Sequence, residues 1–451
     1  MASDRPRTTR RAFLATGALV LGAGCSSTSN VSDDPATTTA PTTTEAPTET
    51  STPEPTEEPE TEETETDSGP TPRTEEQPAN VNPAYQGTFT RHGRMVDNVE
   101  DLSRWGTANG GTLVADIVTK FSGTQSMHFE GTGRSVIYGD FEDDPIDLSD
   151  SDVSLAMNFH EPSNATAVYL IAQAPDPDNL VMYKRFLNGK RDIGWERQDL
   201  APTSVVGDPD LSEVTRLLVS VVADDGQPVS FHLDDIRAHP KPEKAKVIFR
   251  FDDTQASHYD DYYPVLNEYG YPGIEAVVQT NVAPSRLSHE KLQELQSSGW
   301  DLCNHTTKHQ NITELSEAEL RADIEEMDEW FADHDMAAGD DMHILTYGAY
   351  DGASIDVLSE HFDLVFGGGS PTNYNLTNPM SVGSFDAEHG IEATKDMIDD
   401  VVEHQSLLVL MFHNKYSREE FAEIVDYVAA NDDKLDVISG SDLRDHLASL
   451  E

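Results

Sequence analysis

Val247-Ile248-Phe249-Arg250-Phe251-Asp252-Asp253 reads as a buried strand that ends on two carboxylates. Farther on, Trp300-Asp301-Leu302-Cys303 runs into Asn304-His305-Thr306-Thr307-Lys308-His309, and Leu407-Leu408-Val409-Leu410-Met411-Phe412 delivers His413. Short apolar runs of this kind are what strands buried on both faces look like. Three strands therefore each present polar chemistry at one end. Two imidazoles and a carboxylate are the set a catalytic zinc takes from protein, leaving a coordination position for water. The second carboxylate and the lone histidine supply the base and acid that hydrolysis needs.

Each piece alone has a plainer meaning. His305 and His309, four apart, suit a surface pair on a helix. Asp252-Asp253 suits a strand-end pair in an acidic chain, and His413 suits a satisfied core histidine. Their order, with each group at a strand terminus, sets the constellation apart. His258, His289, His343, His361, His389 and His404 lack such context and receive no role.

Outward from the opening strand, strands alternate with helices to the C-terminus. Tyr259 to Tyr269 reads as a helix and Gly273 to Val278 as a strand. His289 to Ser298 reads as a helix with Ser288 as N-cap and Gly299 as C-cap. Ser316 to Phe331 is an amphipathic helix opening on a capping box. This alternation predicts a mostly parallel sheet or barrel over 244–451. Before the short linker Lys241-Pro242-Glu243-Lys244, residues 83–240 show period-2 runs broken by Gly, Asp and Pro, which predicts a β-sandwich. Phe121 to Phe129 and Val229 to Arg237 resemble the jelly rolls attached to many carbohydrate-active enzymes. There Trp105, Tyr183 and Trp195 are either sugar-stacking platforms or core and rim aromatics, and Asp234 with Asp235 are candidate ligands of a structural calcium.

Residues 26–82 are almost entirely Ser, Thr, Pro, Glu and Asp. Such a segment cannot bury enough apolar surface to offset its ordering entropy, so a disordered stalk is expected. Residues 1–25 read as an export signal. Thr9-Arg10-Arg11-Ala12-Phe13-Leu14 precedes an apolar run, Ala15 to Ala23, too short to span a bilayer. The arginine pair resembles a twin-arginine signal. Cys25 resembles the modified cysteine of a lipoprotein box, although Gly22 stands where an aliphatic residue is usual; the plainer reading is an ordinary cleavage site. The expected location is outside the cell, tethered by lipid if Cys25 is modified. The remaining cysteine, Cys303, reads as a buried structural thiol.

The formal charge is −53, from 83 acidic and 30 basic residues. That excludes nucleic acid as a partner, because phosphate binding needs a basic surface. Such a surface repels itself in dilute buffer, and at molar salt the screening length falls to roughly 3 Å. The composition resembles that of haloarchaeal proteins and predicts adaptation to high salt.

Phe251-Asp252-Asp253, Gly299 to His309, Tyr347-Gly348-Ala349-Tyr350 and Leu407 to His413 resemble the successive motifs of the NodB-type polysaccharide deacetylases, carbohydrate esterase family 4. The resemblance runs from about 246 to 451. It implies a distorted (β/α) barrel with fewer than eight strands and a site at the C-terminal strand ends. It also implies a divalent metal, zinc or else cobalt or a similar ion, held by Asp253, His305 and His309. Asp252 would be the general base. The backbone N–H of Tyr347 would help to hold the oxyanion, and His413 would protonate the leaving group. Two departures stand out: Thr254 replaces the glycine usual after the Asp pair, and Ile344-Leu345-Thr346-Tyr347-Gly348 has neither the Arg that orients the base nor the Pro usual in that motif. The partner of His413 has no clear motif, and Asp386 is the candidate. The implied activity is removal of acetyl groups from an extracellular N-acetylated polysaccharide. The alternatives are an O-acetyl esterase of the same fold and an inactive glycan-binding protein.

Overall fold

The computed structural model describes residues 92–161, 167–187, 193–223, 226–336, 339, 341–369 and 371–450. The expected signal (1–25) and stalk (26–82) lie outside the described residues.

Twelve strands fill the first half: β1 (Arg94–Asp97), β2 (Trp105–Thr107), β3 (Thr112–Asp116), β4 (Ser126–Thr132), β5 (Ser135–Asp140), β6 (Ser151–Glu161), β7 (Ala167–Gln173), β8 (Leu180–Phe186), β9 (Trp195–Leu200), β10 (Pro202–Val206), β11 (Arg216–Val221) and β12 (Pro228–Pro240). They form two antiparallel sheets, ordered β3-β4-β12-β6-β9 with β1 beside β12, and β10-β8-β7-β11-β5-β2. Alternate residues fill the space between them. Val153, Leu155, Met157 and Phe159 of β6 and Phe231 and Leu233 of β12 meet Leu170, Leu217 and Val219 of the other sheet. The period-2 pattern thus does what its sequence suggests.

For this region one open alternative is resolved and one expectation is corrected. Trp105, Tyr183 and Trp195 are all buried, so none is a sugar platform. Trp105 instead donates its indole N–H to Asp97 at 3.2 Å. Nor is the Asp234–Asp235 pair left open for calcium. Asp234 accepts from the backbone N–H groups of Phe121, Ser122 and Asp235. Asp235 pairs with the guanidinium groups of Arg197 and Arg237. Protein donors already fill the place of a cation.

The second half alternates β13 (Ala245–Asp252), α1 (Tyr263–Tyr269), β14 (Ile274–Val277), α2 (His289–Ser297), β15 (Asp301–Asn304), α3 (Glu317–Asp333), β16 (Met342–Ile344), α4 (Gly352–His361), β17 (Leu364–Phe366), β18 (Phe385–Asp386), α5 (Ile391–His404), β19 (Leu407–Phe412), α6 (Arg418–Ala429), β20 (Leu435–Val437) and α7 (Gly440–Ala448). The strands form one parallel sheet, β17-β16-β15-β14-β13-β19-β18, with β20 also beside β13. This is the curled half-barrel of the expected class. Among the described residues it has eight strands rather than fewer, though β18 is only two residues long. Ser288 caps α2 and a Ser316–Glu319 capping box opens α3, as the sequence predicts.

β13 is hydrogen-bonded to β14 on one side and to β19 on the other. Val247, Phe249 and Phe251 face the helices, packing with Leu266, Leu292 and Phe421. Ile248 faces the concave interior with Ala276, Cys303, Ile344 and Val409. Arg250 and Asp252 share the parity of Ile248, so the sheet aims both inward. Cys303 is buried, which pushes its thiol pKa well up, as befits a structural cysteine.

The sandwich and the half-barrel share a core. Phe121, Ile193 and Trp195 pack with Ile312, Leu320, Ile324, Leu345 and Tyr350. Around this patch Asp199 accepts from Asn373, from the Thr377 N–H and hydroxyl, and from the Asn378 N–H. Arg197 donates to Thr377, and Arg185 to Ser381. A strand reading Trp195-Glu196-Arg197-Gln198-Asp199-Leu200 is fully buried because both of its sides meet protein partners.

Candidate active site

β13, β14 and β15 are strands of one curled sheet, and the loops after β13, β15, β16 and β19 bring together every predicted site residue. Arg250, Asp252, Asp253, His305, His309, Leu345, Tyr347, Gly348, Gly368, Met411 and His413 line one cleft of about 420 Å³. The backbone there is bent out of ordinary geometry. Asp253 (φ 80°), Thr254 (φ 60°), Thr306 (φ 64°), His309 (φ 56°) and Tyr347 (φ 59°) all occupy the left-handed region. Non-glycine residues are held there only when their surroundings dictate it, and such strain gathers at functional sites. Thr254 shows how. Its N–H donates to Glu275 at 3.1 Å, and its hydroxyl accepts from the Val278 N–H at 2.9 Å. A threonine thus holds the turn at a position where glycine would sit without strain.

Asp253, His305 and His309 each offer a ligand atom within 4.8 Å of the others. His305 Nδ1 donates to the Ile344 carbonyl at 2.8 Å, which leaves Nε2 as a bare lone pair. That lone pair faces Asp253 Oδ1 at 3.6 Å, and neither atom has a hydrogen-bond partner although both are buried. Two acceptors turned on one another in a buried site fit a cation between them. His309 Nε2 lies 3.0 Å from the same oxygen, and its Nδ1 is held by the Tyr347 hydroxyl at 3.1 Å. Burial pushes the Asp253 carboxyl pKa up, but the two imidazoles of His305 and His309 beside it outweigh that and bring it far down.

The arginine missing from the third motif is supplied from elsewhere. Arg250 Nε and Nη2 grip Asp252 Oδ1 and Oδ2 at 2.8 and 2.6 Å, a two-pronged pair buried at the cleft floor. Its Nη1 is tied to the Gly367 carbonyl and the Ser384 hydroxyl. Burial raises the Asp252 pKa, yet the Arg250 charge, His305 and the guanidinium bonds together hold it below the usual carboxylate range. Sequence reasoning missed Arg250. The signal was present, since residues i and i+2 of a strand share a face.

His413 is partly exposed at the end of β19. Its neighbour is Glu388 and not Asp386. Glu388 Oε1 accepts the His413 N–H at 3.1 Å, and Oε2 lies 3.8 Å from the ring Nδ1. Asp386 instead caps the turn at Glu388 and pairs with His389. His258, given no role above, donates Nε2–H to the His413 carbonyl at 2.6 Å and shares a hydrogen bond of 2.9 Å between Nδ1 and Glu275. Both ring nitrogens face oxygen atoms, and burial pushes the Glu275 carboxyl itself up to about 7, so the buried pair holds a proton between them. Burial opposes a charge on the ring, but Glu275 outweighs it and raises the imidazole pKa. The chain Thr254–Glu275–His258–His413 therefore locks the ends of β13 and β19 together. Behind the cleft, Tyr350 donates to Glu196 of the sandwich at 2.9 Å, anchoring the loop that carries Tyr347.

Residues 239–361 match the polysaccharide deacetylase family model. The matched stretch holds Asp252, Asp253, His305, His309 and Tyr347 and stops short of His413. A deacetylase hydrolase is the activity it supports. Among solved structures, the chain is similar to the Xyl-CE4 domain of a multidomain xylanase from the hindgut metagenome of Trinervitermes trinervoides, with 15% identity over 46% of this chain and 91% of that one and a TM-score of 0.34. It is also similar to a family 4 acetyl xylan esterase from Clostridium thermocellum, with 14% identity over 44% and 89% and a TM-score of 0.34. A third is the peptidoglycan deacetylase PdaC from Bacillus subtilis, with 13% identity over 45% and 91% and a TM-score of 0.33. No curated protein sequence matches the chain.

Proposed function

We propose that the cleft removes acetyl groups from an extracellular N-acetylated polysaccharide. The observation that carries this reading is the facing pair of unpartnered acceptors, His305 Nε2 and Asp253 Oδ1, beside an Asp252 held ionised by Arg250. Asp253, His305 and His309 would hold a divalent transition metal, zinc by donor type. When bound, such an ion supplies a more acidic water and a polarised acetyl carbonyl.

The protein's own groups do the rest. Asp252 accepts the proton of the attacking water, and Arg250 keeps its carboxylate aimed and charged. As the carbonyl carbon becomes tetrahedral, the Tyr347 N–H donates to the oxygen that gains charge. His413 gives its proton to the departing amine nitrogen while the carbon–nitrogen bond breaks, and Glu388 steadies its ring. Export by a twin-arginine route, a lipid on Cys25 and adaptation to high salt belong to the same proposal. They rest on Arg10-Arg11, on the sequence before Cys25 and on the charge of −53.

Acetate release from N- and O-acetylated glycans in molar salt, with and without chelator, tests the reading. Release from N-acetylated substrates that chelator abolishes and zinc restores is expected. Release from O-acetylated xylan alone would make the protein an esterase, and no release despite bound metal would leave only glycan binding.

A further inference from the structure

We propose that the outer face of the β3-β4-β12 sheet holds a second transition-metal site, built from Asp116, His128 and His232 and separate from the catalytic cleft. The three residues come from three adjacent strands. His232 and His128 are direct cross-strand partners in the β12–β4 register, and their rings stack at 4.2 Å with 7° between planes. His232 Nε2 lies 3.0 Å from Asp116 Oδ2. One ligand atom from each residue lies within 4.8 Å of the others, and among the described residues only the cleft cluster repeats this arrangement.

The surroundings look prepared for an ion. Asp116 Oδ1 is fixed by the N–H groups of Val118 and Thr119, which turns Oδ2 toward His232. The other nitrogen of His232, Nδ1, lies 2.7 Å from His160 Nε2 on β6. When that nitrogen donates to His160, Nε2 is a lone pair aimed at a carboxylate oxygen, and a cation is what reconciles them. A metal-bound imidazole is ordinarily oriented through its second nitrogen in just this way. Imidazole and carboxylate donors in this number suit zinc, cobalt, nickel or copper and not calcium, which prefers oxygen alone. His128 Nε2 is 3.1 Å from the Ser230 hydroxyl, which can turn to serve either as donor or as acceptor. The site would staple three strands of the sheet on which the half-barrel packs, and Trp195 of that shared core lies 6.1 Å from His232.

A metal-free arrangement competes: His160 donates to His232, and His232 Nε2–H donates to Asp116. Metal counting separates the two. The full-length protein carrying His305→Ala and His309→Ala, stripped with chelator, is titrated with Co2+ in molar KCl. One bound equivalent, with visible d–d absorption, is expected. Zn2+ should then raise the Tm of this parent, a measurement that needs no further substitution. Adding Asp116→Asn or His128→Asn should remove both signals, with circular dichroism confirming that each variant is folded without metal. No stoichiometric binding by the parent overturns the proposal, and so does binding that survives both added substitutions.

Discussion

At the scale of single residues, the proposed mechanism divides the labour between the adjacent aspartates, and substitution can test it. Asp252→Asn keeps the shape but cannot accept the water proton, so metal content should persist while turnover falls about 10²–10⁴-fold. Asp253→Asn replaces an anionic ligand with a neutral one and should lose both metal and activity. Metal analysis and acetate release on both variants check this; the reverse pattern would exchange the two roles. Arg250→Met strands a buried carboxylate, since both Asp252 oxygens lose their partner. Breaking such a pair from one side costs about 3–5 kcal/mol. Denaturant unfolding should show that loss in Arg250→Met and a partial return in the Arg250→Met, Asp252→Asn double variant, where no lone charge remains. Much of this was legible beforehand. Which groups gather in the cleft follows from which residues end which apolar runs, while their separate roles are what the family resemblance implies, and Arg250 sits in plain view two places before Asp252. Glu388 and His258 were not legible, because their contacts with His413 come from a turn and a helix start whose placement depends on the closed fold.

At the scale of elements, charge pattern makes a prediction about α5. Asp396, Asp399, Asp400 and Glu403 crowd one another there, and burial together with these like charges raises the Asp400 pKa to about 6. The folded value lies above the unfolded one, near 3.8, so the folded state binds the proton more tightly. Stability from this residue is therefore fullest below the unfolded pKa and is lost as pH rises through 6. Asp400→Asn should raise the Tm above pH 6. The gain should fade below pH 4, where the carboxyl is neutral in both states, and it should narrow at molar salt as the neighbouring charges are screened. Thermal scans at pH 3.5 and 8, each at low and molar salt, check all three statements. The helices of this half were readable from caps and periodicity, as Ser288 and the Ser316–Glu319 box show. Strands such as β17 and β18 were not. Two or three residues carry no period, and only pairing with β16 and β19 defines them.

At the scale of the whole molecule, the net charge of −53 against 30 basic residues makes salt a structural ingredient. Transfer from molar salt to dilute buffer should lower the Tm and promote unfolding, and a Tm independent of salt would remove the halophilic reading. The period-2 texture before residue 240 and the βα texture after it were both visible in the sequence, but the core they share was not. Trp195 stayed open between platform and core in the sequence, because the partners of Glu196, Arg197 and Asp199 on its strand lie in the other half. That seam sets the last prediction. Expressed alone, residues 244–451 would bare Ile312, Leu320, Ile324, Leu345 and Tyr350, which Phe121, Ile193 and Trp195 now cover. A patch of that kind drives association. It also lies behind the loop of Tyr347, so the cleft should loosen with it. In molar salt the fragment should self-associate in sedimentation experiments, bind a hydrophobic dye and release acetate more slowly than the full chain. Trp195→Ala in the full chain should show a milder form of the defect, with a stability loss of about 3–5 kcal/mol. A monodisperse fragment with full-length turnover would mean that the half-barrel holds its cleft without the sandwich, and that the buried polar strand β9 serves the sandwich alone.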